Sequence, residues 1–172
     1  MNVKVRALII TTTLAVLFTL AFLLFPQRKY LPADKTTQDG TPVIITDIPV
    51  SEVLALALYN NYGTFGILNS PDGVQAMSAN EATLSLSQMR AIVYMASHLT
   101  GIRLLENYPL PGVTEIINST ARFTLILSDS HSYNFVILQK NSIGDGYILF
   151  FEEQKVIYLI SDSTAECFLQ EP

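Results

Sequence analysis

Ala121-Arg122-Phe123-Thr124-Leu125-Ile126-Leu127 decides how this chain is read. Side chains alternate between the two faces of a strand, so Phe123, Leu125 and Leu127 share one face and Arg122 and Thr124 the other. Ser128-Asp129-Ser130-His131 turns the chain, and Tyr133, Phe135 and Ile137 continue the alternation on a return strand. After a loop at Asn141-Ser142-Ile143-Gly144-Asp145-Gly146, Tyr147 to Phe151 and Val156 to Ile160 pair across Glu152-Glu153-Gln154-Lys155. The C-terminal part is predicted as four strands in two antiparallel hairpins.

Working back from that block, the next firm element is a helix. Ser85-Leu86-Ser87-Gln88 matches a capping box, in which the serine accepts from an early backbone N–H and the glutamine reaches back. Leu86, Met89, Val93, Ala96 and Thr100 follow at helical spacing, widened by Ile92 and Leu99, and Gly101 reads as a left-handed stop. Tyr94 and Met95 fall at the margin of the stripe. Ile102 to Leu105 reads as a strand leading into a rigid turn, Asn107-Tyr108-Pro109-Leu110-Pro111-Gly112. Earlier still, Val53 to Tyr59 is apolar throughout, which fits strand or helix, and strand is preferred. Asn60-Asn61-Tyr62-Gly63 turns it back into Thr64 to Leu68, and Ser70-Pro71-Asp72-Gly73 turns again into Val74 to Met77. Pro42-Val43-Ile44-Ile45-Thr46 reads as a first short strand that Pro49 stops. Two antiparallel blocks with one packed amphipathic helix between them predict an α+β domain over 43–172 built as a β-meander.

Ahead of that domain the composition changes. Residues 26–42 carry three prolines and Asp39-Gly40 and read as a linker. Residues 7–25, ALIITTTLAVLFTLAFLLF, hold no charge, glycine or proline. As a helix they reach about 28 Å, the thickness of a bilayer's hydrocarbon core. The run exceeds the apolar core of a secretory signal and ends in Leu23-Leu24-Phe25-Pro26-Gln27, bulky where a signal peptidase needs small residues. An uncleaved signal-anchor is therefore expected, with residues 1–6 as a cytoplasmic tail, 7–25 as the transmembrane helix in the lipid bilayer, and the domain extracytoplasmic at the cell membrane. Lys4 and Arg6 on the amino side set that orientation.

The charge is unevenly placed. The chain has ten basic and fifteen acidic residues, and Lys4, Arg6, Arg28, Lys29, Lys35 and Asp34 lie in the first 35; the fourteen acids and five bases that follow give a net charge of −9. A surface of that sign argues against nucleic-acid partners. Cys167 is the only cysteine, which excludes an internal disulfide and a CxxC metal or redox motif. His98 and His131 are isolated from each other and from Cys167 in the sequence, so no zinc spacing exists. His98 falls in the last helical turn, where it suits the dipole, and His131 in a hairpin turn. Gly144-Asp145-Gly146 is too short for a phosphate loop. Asn118-Ser119-Thr120 has the form of a glycosylation sequon and reads as the turn before Ala121. Asp145, Glu152 and Glu153 read as a solvated acidic edge. Neither catalytic, cofactor-binding nor metal-ligating residues are assigned, and no cofactor is expected.

Several of these segments together carry a resemblance: Gly112 to Asn118, Ala121 to Asp129, Ser132 to Leu138, Gly146-Tyr147, and Val156 to Ile160. Residues 50–170 resemble a bacterial domain-of-unknown-function family with one amino-terminal span and a β-rich extracytoplasmic domain. Some of its members are encoded beside gliding-type ABC transporters. The chain departs from the family's first turn, because Ile116 to Thr120 has neither its glycine nor its proline. Family members commonly continue into a second similar half, so a chain ending at Pro172 is expected to be a short or truncated member. With no catalytic constellation in the residues, a non-enzymatic accessory or interaction domain is expected, and the resemblance implies a transporter subunit as its partner. The alternatives are an envelope module binding a small molecule or polymer, for which Tyr59, Tyr62, Tyr108 and Tyr147 would cluster in one cleft, and an envelope hydrolase, which would bring carboxylates or Cys167 and a histidine together.

Overall fold

Ala121–Leu127 forms a strand near the centre of an eight-stranded antiparallel sheet. A computed structural model describes residues 41–77, 84–142 and 144–172, all within one unit, Ala33–Pro172. The expected tail at 1–6, span at 7–25 and nearly all of the linker at 26–42 lie outside the described residues. Among the described residues no helix is long and apolar enough to cross a membrane.

In chain order the strands are β1 Val43–Ile44, β2 Val53–Asn60, β3 Gly63–Ser70, β4 Gly73–Ala76, β5 Thr100–Gly101, β6 Arg103–Leu104, β7 Ala121–Leu127, β8 Ser132–Lys140, β9 Tyr147–Phe151 and β10 Val156–Ile160. The helices are α1 Leu86–Ser97, α2 Val113–Ile117 and α3 Asp162–Phe168, and Val50–Glu52 is a single 3-10 turn. The sheet order is β4-β3-β2-β7-β8-β9-β10-β6, with β1 and β5 paired apart from it. The two predicted blocks are thus one sheet, joined where β2 lies antiparallel to β7 with Leu58 opposite Phe123. The chain leaves the β4 edge, passes through α1 to the β6 edge, and returns through α2 to place β7 at the centre.

The core face follows the alternation read from the sequence. Leu56, Leu58, Phe123, Leu125, Leu127, Phe135 and Ile137 are all buried, together with Met89, Ile92, Val93 and Ala96 of α1 and Phe168 of α3. Phe123, Phe135 and Phe151 lie opposite one another on β7, β8 and β9 and stack at 4.8 and 4.5 Å between ring centroids. Phe168 adds a fourth ring, 4.2 Å from Phe123 and parallel to it within 2°. Two buried polar side chains, Thr46 and Asn60, tie distant segments together through backbone groups. The Thr46 hydroxyl donates to Ala96 O and accepts from Leu99 N–H. The Asn60 side chain donates to Phe168 O and Gln170 O and accepts from Tyr62 N–H, fastening the end of α3 to β2.

Four expectations are corrected. The domain has three helices among its described residues where one was expected. Helices α2 and α3 have only five and seven residues, too few turns for a period to show. Gly101 does not stop α1; the helix ends at Ser97 with His98 as its cap, and Gly101 is in β5 paired with Val43. A Cβ on Gly101 would lie 3.2 Å from both Ile45 Cδ1 and Leu159 O, so close approach, not a left-handed turn, favours glycine there. Leu86 and Thr100, assigned to the buried stripe, are exposed, because Leu86 stands at the first turn and Thr100 lies beyond the helix. The strand expected over Ile102 to Leu105 is two residues long, Arg103–Leu104, pairing with β10. The capping box holds as read: Ser85 N–H donates to Gln88 Oε1 at 2.8 Å, and the Ser85 hydroxyl accepts from Gln88 N–H.

Candidate functional site

The opposite, outer face of the sheet is covered over only part of its width. Val136, Ile148, Phe150 and Ile157 are buried there beneath Leu105, Tyr108 and Ile116, which arrive with α2 and the segment leading to it. Over β2 the cover is thinner: Tyr59 is 44 % exposed, and Leu54, at the irregularity between Val53 and Ala55, is 45 % exposed. At the boundary between these regions lies a groove of about 280 Å³, lined by Tyr59, Arg122, Thr124, Asn134, Ile116 and Glu152 among others.

Strand register builds this groove. Tyr59 on β2 lies opposite Arg122 on β7, which lies opposite Val136 on β8. One row along, Ala57 lies opposite Thr124, and Thr124 opposite Asn134. The Glu152 N–H donates to Asn134 O at 3.0 Å, which sets Glu152 at the end of that second row. Arg122 stacks over Tyr59, its guanidinium carbon 4.8 Å from the ring centroid, a cation–π contact that uses none of its N–H groups. Its Nε is buried without a hydrogen-bond partner, and neither ion pair found among the described residues includes Arg122 or Glu152.

The neighbouring polar groups are occupied. Asn134 N–H donates to both carboxylate oxygens of Glu153 at 2.9 Å, and Asn134 Nδ2 donates to Glu153 Oε1 at 2.7 Å. Asn134 Oδ1 accepts from the Thr124 hydroxyl at 2.7 Å. Glu153 is therefore a clamp on the β8 backbone, and Glu152 is the carboxylate left facing the groove.

The residues weighed in the sequence are placed as follows. His98 bonds through Nδ1 with the Ser97 hydroxyl at 2.8 Å and stacks on Tyr94. His131 Nδ1 lies 3.0 Å from Asp129 Oδ2, and the His131 N–H holds the Asp129 carboxyl below its usual range. Cys167 is buried in the core on α3, and burial pushes its thiol up to about 11. None of these contacts joins one histidine to the other or to Cys167. The four tyrosines do not share a cleft: Tyr59 lines the groove, Tyr108 lines a second one of about 320 Å³ beside α2, and neither groove includes Tyr62 or Tyr147. Asp145 accepts from Asn141 Nδ2 across its loop, away from Glu153's partner on β8. Asn118 caps α2, and Ser119 behind it is buried. Among the described residues no group of three or more histidine, cysteine, aspartate or glutamate side chains is gathered to hold a metal ion.

The sequence reading did not single out Arg122. Its place on the polar face of β7 was legible, but its pairing with Tyr59 depends on which strand lies beside β7. Fold and groove together define an antiparallel α+β domain with one closed and one partly open sheet face. No protein-family model, curated protein or solved structure matches the chain.

Proposed function

We propose that this chain is a membrane-anchored extracytoplasmic domain that works by binding rather than by catalysis, as an accessory or interaction subunit of a membrane partner. The partly open outer sheet face carries this reading: Tyr59 stands exposed on the Arg122 groove, and Leu54 is exposed near the start of the same strand, which is otherwise packed into the core. The anchoring component is supported by the uncharged apolar run of residues 7–25 and its basic flank, which favour a domain held outside the membrane. The resemblance described above supports an ABC-type transporter subunit as the partner. A module binding a small envelope ligand is the second reading, favoured by the unpaired charges in the groove.

Co-purification of the full-length protein in mild detergent tests the proposal. A transporter subunit is expected to elute with the wild-type chain and to be lost when Leu54 and Tyr59 are both changed to serine. A chain that elutes alone, or a partner retained by that variant, would overturn the assignment of this face. Protease digestion confined to the extracytoplasmic side tests the orientation; a domain protected until the membrane is permeabilised would reverse it.

A further inference from the structure

We infer that the Arg122–Glu152 groove is a binding site for a zwitterionic ligand of free amino-acid size, its carboxylate on Arg122 and its ammonium on Glu152. Two opposite charges line one groove, and they lie too far apart to form an ion pair with each other. The ladder explains the separation. Arg122 is in register with Val136, and Glu152 is held at Asn134, two residues away on the same strand. Two strand spacings across and two residues along put their Cα atoms about 12 Å apart. Long side chains reaching inward from such positions flank a small molecule without meeting.

Arg122 is prepared for an anion. Tyr59 holds the guanidinium in place without consuming a donor, and the buried Nε lacks an acceptor. A buried charged donor left unpaired is costly, and a carboxylate supplies paired acceptors in the geometry of the guanidinium fork. Surrounding charge selects among anions. The domain carries a net charge of −9 after Lys35, counted from the sequence, and Glu153 lies beside Glu152, so a dianionic phosphate is repelled while a molecule bearing its own ammonium is not. Ala57, Ile116 and Val136 offer apolar surface for a short side chain, and about 280 Å³ of space suits a small molecule.

The test uses the full-length protein in detergent and follows its melting temperature. Three mixtures are compared at millimolar concentration: free α-amino acids, the same amino acids N-acetylated, and their C-terminal amides. Free amino acids are expected to raise the melting temperature, while both blocked mixtures leave it unchanged. Arg122→Gln and Glu152→Gln should each weaken binding by about tenfold or more. An equal response to the N-acetylated mixture would mean that only a carboxylate is read, and would overturn the inference. So would a response to inorganic phosphate or no response to free amino acids. The comparison of mixtures on the wild-type chain stands even where a variant misfolds. The inference rests on the outer face being the binding surface; a chain that captures its membrane partner yet ignores free amino acids would lose the ligand and keep the face.

Discussion

Gly146 sits where a methyl group has no room. Its φ is +147°, and a Cβ built on it would lie 2.1 Å from the carbonyl oxygen of Ile160 on β10. Gly146→Ala is expected to destabilise the domain by about 2–4 kcal/mol in urea unfolding; a loss below half a kcal/mol would show that β9 enters the sheet differently. Cys167 supports a second measurement at this scale. Its thiol is raised from 9.0 to about 11 by burial, so the folded state holds the proton more tightly than the unfolded chain does. The resulting stability is fully present below about pH 9 and is lost as pH rises toward about 11, amounting to roughly 2–3 kcal/mol. The Tyr158 hydroxyl, also raised by burial, acts in the same direction. Cys167→Ala should flatten this alkaline decline; unfolding curves at pH 8 and pH 10 with the same difference in both proteins would contradict it.

At the scale of elements, α3 shows what a sequence conceals. The β pattern was legible because seven residues of strict alternation, as in Ala121–Leu127, already separate two faces. The register was not, and it is register that stacks Phe123, Phe135 and Phe151 and sets Tyr59 beside Arg122. In α3, Asp162–Phe168 has fewer than two turns, and its defining contacts are Phe168 on Phe123 and the Asn60 bond to its last carbonyl. Both are long-range, so no local signal announced them. Gly101 misled for a related reason: a glycine after a helix resembles a cap, while its real constraint comes from Ile45 and Leu159, far away in sequence. The start of α1 was legible because the helix has twelve residues and a capping box. Phe168→Ala is expected to cost about 3–5 kcal/mol, because it removes one end of a four-ring stack and leaves a cavity. A loss under 1 kcal/mol would mean that α3 is an appendage to the sheet, not part of its core.

For the whole domain, the path of the chain divides the sheet's two faces into different roles. Helix α1 carries the connection over the core face and α3 closes the same side, so that face is sealed. The return through α2 covers the outer face only above Val136, Ile148, Phe150 and Ile157. The uncovered remainder coincides with β2 and β7, the junction of the two predicted blocks, and the groove forms along its border. If residues 7–25 anchor the chain as proposed, this partly open face is the surface of the acidic domain left to meet a partner. The most direct measurement places a photo-crosslinking amino acid at Leu54 or Tyr59 of the full-length protein in cells, with Asp72, exposed in the β3–β4 turn, as the control position. One discrete adduct with a transporter subunit is expected from positions 54 and 59 and none from 72. Equal adducts from all three positions, or none from 54 and 59, would contradict it.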